Sequence, residues 1–178
     1  MFMIEVLNRC SMLEDRCADI YSQFAGCLND EKEVESFFLG LAEEEKRQAK
    51  ILAAEKAALD IDSDAGYFMP EFPTKLTEMD TLLKEVEAKA RTGVTKEEAF
   101  ALALELEQSE LNMIYRDLVL MGRAAVQLMA RRMDESLSLP KHQAGLVEGM
   151  RRFIPDSPTR QQAESWAAQH HMGLPRQR

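Results

Sequence analysis

Glu107 and Glu110 fall on a helical stripe that should be apolar. Counting by threes and fours from Phe100 gives Ala103, Glu107, Glu110, Ile114, Asp117, Met121, Ala124 and Leu128, the inward face of a long amphipathic helix. The same intrusion occurs in two other stretches. Met3, Leu7, Cys10, Glu14, Cys17, Tyr21, Phe24 and Leu28 form a seam with Glu14 in its middle, and Val34, Phe38, Leu41, Glu45, Gln48, Leu52, Glu55 and Leu59 form another around Glu45 and Gln48. A buried carboxylate is costly unless it is protonated, hydrogen-bonded or neutralised by a cation, so these positions ask for a partner. Hard cations take oxygen ligands, and imidazole can complete such a set. Glu107 and Glu110, three residues apart, reach one ion from one helix face.

The elements that must position these groups are helices. The first is expected over about 3–28 and the second over about 31–59, joined by a short turn at Asn29-Asp30 as an antiparallel hairpin. Residues 60–75, with Gly66, Pro70, Pro73, Tyr67, Phe68 and Phe72, read as a packed crossover. An accessory helix over 75–91 carries Leu76, Met79, Leu83 and Val86. One long connection between the second and third bundle helices permits a ferritin-like arrangement rather than simple up-and-down order. After the Thr92-Gly93-Val94-Thr95 break, Thr95 and Glu98 fit a capping box. The third bundle helix then runs from about 96 to at least 121. It either continues to about 135 through Ala124, Ala125, Leu128 and Met129 or breaks at Gly122.

Pro140 begins or kinks the last bundle helix, on which His142, Leu146, Gly149 and Phe153 share a face. The expected organisation is an all-α bundle domain over 1–154 and a polar tail over 155–178, with room for a short helix near 159–169.

Composition narrows the function classes. The chain has 178 residues, enough for one well-buried core, with 46% apolar and 30% charged residues and few Gly or Pro. A net charge of -9 argues against nucleic acid as a partner. Arg131-Arg132 and Arg151-Arg152 read as solvated helix faces or helix C-terminal charges. Three Cys without C-x-x-C spacing indicate a reducing compartment. Cys10 and Cys17, about 10 Å apart along a helix, cannot bridge. The absence of a secretory leader and of a long apolar run leads to the expectation of a cytoplasmic protein with no membrane partner.

Four passages resemble the rubrerythrin branch of the ferritin-like family. Glu14 with Tyr21 is similar to that family's first helix, and Leu41–Lys50, containing Glu45 and Gln48, to its second-helix Glu-x-x-His motif. Glu107-x-x-Glu110 followed by Tyr115 is similar to the third helix. His142, followed by Leu146, is similar to the His of the fourth-helix motif. The resemblance implies a four-helix bundle with Glu14, Glu45, Glu107, Glu110 and His142 as metal ligands. It implies Tyr21, Gln48 and Tyr115 as supporting groups that orient them. It implies one or two iron or manganese ions, redox chemistry on ferrous iron or peroxide, a homodimer, and an external electron donor, since the rubredoxin-type Cys module has no counterpart.

The chain departs from the pattern at two ligand positions: Gln48 stands where a His is expected and Leu139 where a bridging Glu is expected. Glu135, one turn before Leu139, replaces the missing ligand only if the helix runs through Pro140. The departures leave a rival expectation, a metal-free bundle serving as a dimerising or partner-binding scaffold. A third reading makes the Pro-flanked tail, with Trp166 and His170-His171, a docking segment. Glu43 and Glu44 read as solvent-facing charges paired with Lys46 or Arg47.

Overall fold

The apolar seams fold as long helices. The computed structural model describes residues 1–61, 68–70, 72–110 and 139–169. Its helices are α1 (Met3–Cys27), α2 (Lys32–Ile61), α3 (Phe72–Thr92), α4 (Lys96–Glu110), α5 (Leu139–Phe153) and α6 (Pro158–Gln169). An isolated antiparallel bridge between Phe2 and Phe68 is the extended pairing among the described residues. No described helix is long and apolar enough to cross a membrane.

Helix ends follow local chemistry. Thr95 and Glu98 form the expected reciprocal cap of α4: the Thr95 amide donates to Glu98 Oε2 (2.8 Å) and the Glu98 amide donates to Thr95 Oγ1 (3.3 Å). Gly93 ends α3 with φ of 92°, a left-handed conformation that glycine adopts without strain. Pro140 is the second residue of the described part of α5, and whether it begins or kinks the helix turns on residues before Leu139, which lie outside the described residues. The accessory helix starts at Phe72, earlier than expected, because Pro73 is tolerated in a first turn, where a missing amide donor is harmless.

The helices pack by their predicted faces. Every residue of the α1 seam from Met3 to Leu28 is buried, as are Val34, Phe38, Leu41, Glu45, Gln48 and Leu52 of α2. α1 and α2 run antiparallel: Ser11 Oγ donates to the Ala49 carbonyl (3.0 Å) and Lys56 Nζ to Asn8 Oδ1 (2.7 Å). Near the other end, Phe24 packs on Phe38. α4 lies parallel to α2, with Phe100 on Phe38 at 5.0 Å between ring centroids and Glu107 at the level of Glu45. α5 is antiparallel to α2, since His142 meets Glu45 and Gly149 abuts Phe37. α3 is clamped to α1 by Arg16, whose guanidinium donates to Asp80 (2.5 Å) and Glu87 (2.7 Å).

Two layers result. Seven residues, about two turns, separate Glu14 from Tyr21, Glu45 from Phe38 and Glu107 from Phe100. A polar layer therefore stacks on an aromatic layer that also includes Phe24 and Phe37. The segment read as a polar tail contains α6, whose Ala163, Trp166 and Ala167 are buried in the core. Arg151 joins it to α5 through Glu164 at 2.7 Å. Arg151 and Arg152 both lie in the last turn of α5, as the helix C-terminal reading expects; Arg151 is in addition an interhelix clamp rather than a solvated charge, and Arg152 pairs with Glu33 of α2 at 2.7 Å. The expected continuation of the third helix, with Tyr115, Gly122, Arg131-Arg132 and Glu135, lies outside the described residues, as does the His170-His171 pair.

Candidate metal centre

Glu45 of α2, Glu107 of α4 and His142 of α5 converge in the polar layer. His142 Nε2 lies 2.7 Å from Glu107 Oε1 and 3.0 Å from Glu45 Oε1. One ligand atom from each residue lies within 4.8 Å of the others. Glu45 is 0% exposed, Glu107 1% and His142 6%, so the group is cut off from solvent. The convergence follows from the helix directions: parallel α2 and α4 bring their glutamates level, and antiparallel α5 brings His142 to the same level.

Tyr21 of α1 donates its hydroxyl to Glu107 Oε1 at 3.0 Å, leaving Glu107 Oε2 without a partner among the described residues. The tyrosine ring is wedged between Phe24 and Phe38, so the aromatic layer fixes the donor that orients the carboxylate. Glu14 is buried beside Glu45 but is not one of the three residues whose ligand atoms cluster, and neither of its oxygens meets a hydrogen-bond partner among the described residues.

Electrostatics bind the group together. Burial, then the neighbouring Glu45 and Glu107 carboxylates, push Glu14 well above the usual carboxylate range. Burial acts to lower the His142 ring. The Glu107 charge, the hydrogen bonds to Glu107 and Glu45 and the Glu45 charge together outweigh it and hold the ring well above the ordinary histidine value. A cation here would need the Nε2 lone pair that faces the two carboxylates, so a metal ion and a proton on that nitrogen compete for one place.

The donor set fits a metal ion. Two carboxylates and one imidazole, buried and carried by separate helices, could hold a divalent cation. Orphaned oxygens on Glu14 and Glu107 leave acceptor capacity for it. Gln48, where the family resemblance expects a His, is fully buried one turn beyond Glu45, with both amide atoms unpartnered among the described residues. Glu110 is the last described residue of α4, and its side chain and Tyr115 lie outside the described residues. Glu44 pairs with Arg47 at the surface, and that hydrogen bond lowers its pKa, while Glu43 is exposed.

Sequence reasoning missed Gln143. It is 1% exposed with both amide atoms unpartnered among the described residues. The signal was available: Gln143, Leu146, Val147, Met150 and Ile154 form a buried stripe beside the one through His142, with a polar residue where an apolar one belongs. No protein-family model, curated protein or solved structure matches the chain.

Proposed function

We propose that the protein is a rubrerythrin-like member of the ferritin-like superfamily that binds iron, or manganese, at Glu45, Glu107 and His142 for redox work. The observation that carries this reading is the buried convergence of those three side chains from three helices. The parallel run of α2 and α4, with α3 between them in the chain, supports the crossover bundle that the resemblance implies. Glu14 and Glu110 are further ligand candidates.

When bound, iron would supply the electron transfer needed to oxidise ferrous ion or reduce peroxide. The residues do the rest. Glu45 and Glu107 would balance the ion's charge, His142 would offer the Nε2 lone pair, and Tyr21 holds Glu107 in place. Phe38, Phe100 and the α1 seam keep bulk water away. An external electron donor, a homodimeric assembly and a cytoplasmic setting complete the reading by resemblance.

Thermal melting under anaerobic conditions tests it. Ferrous or manganous ions are expected to raise the melting temperature by mass action, and Glu107→Ala to remove that rise. One observation favours the metal-free scaffold instead: His142 already bonds both carboxylates, so the cluster is partly compensated without an ion. That reading expects no ion-dependent shift in either protein.

A further inference from the structure

The charge and hydrogen-bonding groups around the centre suit one divalent cation, not two. Glu45 and Glu107 carry two negative charges and, with His142, are the one group of three close ligand atoms among the described residues. A single divalent ion neutralises that pair. A second ion displaced along α2 toward its next turn would meet Gln48. The Ser11–Ala49 hydrogen bond and the proximity of Glu14 to Glu45 put Gln48 level with the Ser11–Glu14 turn of α1.

Gln48 is a poor host for that ion. Its amide is neutral, and the Nε2 half of its polar surface donates hydrogen and carries no lone pair for a cation. Glu14 is the one described carboxylate of α1 that is buried there, so among the described residues a second divalent charge would meet one carboxylate in a dry core, and half compensation of that kind is unfavourable. Gln48 has both amide atoms unpartnered among the described residues. Water satisfies donor and acceptor together, and a cation satisfies the acceptor alone.

We propose that the centre is mononuclear, with one divalent cation at Glu45, Glu107 and His142 and Gln48 denying the adjacent position to a second. This rests on the metal reading above. With three protein ligands, the single ion keeps open positions for water or another small ligand.

Metal counting tests it. Metal-free protein is dialysed to equilibrium against manganous ion and bound manganese is measured, with circular dichroism reporting the fold. Wild type is expected to bind one equivalent, and so is Gln48→Leu, which removes the amide without adding charge. Gln48→Glu, nearly isosteric and bringing a carboxylate to the level of Glu14, is expected to bind two. If that variant does not fold, Gln48→Asp replaces it, bringing a shorter carboxylate to the same turn of α2, again with two expected. Two equivalents of similar affinity in wild type overturn the inference, as do loss of binding in Gln48→Leu or a count of one in the folded gain-of-charge variant. No binding by wild type overturns the metal reading itself, an outcome distinct from the others.

Discussion

Tyr21 and Glu107 show how one hydrogen bond ties the aromatic layer to the polar one. Tyr21→Phe keeps the ring packing on Phe24 and Phe38 and removes the hydroxyl that Glu107 Oε1 accepts from. The expected cost is about 1 kcal/mol in urea unfolding of the metal-free protein, and no change in stability would mean the hydroxyl does not hold that carboxylate. Glu107 itself bonds groups from α1 and α5, Tyr21 and His142. Its removal therefore leaves polar groups on two helices without that acceptor. The glutamates were legible because each interrupts a regular apolar spacing, and burial of Glu14, Glu45, Gln48 and Glu107 follows that spacing. His142 was less legible, since a histidine just after Leu139-Pro140 fits a surface helix start equally well; its burial depends on α5 packing against both α2 and α4.

At the scale of the helix, the Arg16 clamp carries a pH signature. Lys84 and Arg16 hold the Asp80 carboxyl below the ordinary aspartate value. Such a group stabilises the fold above its unfolded pKa, and the contribution fades as pH falls through the depressed folded value. Asp80 is partly exposed, so screening limits the effect. Asp80→Asn is expected to lose up to about 1 kcal/mol near neutral pH, with the gap from wild type closing under acid conditions as both lose the charge. A gap that persisted in acid would assign the loss to packing instead.

The joints of α5 and α6 are the second test at this scale. A Cβ at Gly149 would overlap the Phe37 ring, so Gly149→Ala is expected to cost about 1–3 kcal/mol as the ring moves aside. Trp166→Ala is expected to cost about 3–5 kcal/mol, an amount out of reach for a residue on a solvated tail. α6 was hard to read because two of its buried residues, Ala163 and Ala167, are small and its Trp stands among polar neighbours. The long seams of α1 and α2 were plain because large apolar residues recur through many turns.

Across the whole molecule, two sets of contacts meet at the centre. The α1–α2 hairpin supplies Glu14, Tyr21, Glu45 and Gln48, and α4 and α5 supply Glu107 and His142. An ion bound between them joins segments distant in sequence, so it should stabilise the fold as a unit. At free ion about a hundredfold above Kd the gain would be about 2.7 kcal/mol. The central claim, that the buried cluster is a metal site, is tested most directly by iron content. Protein loaded with ferrous ion without oxygen and then desalted is expected to retain close to one equivalent of iron, and Glu107→Ala treated alike to retain none. Trace iron in the wild type, or equal iron in both proteins, would contradict the account.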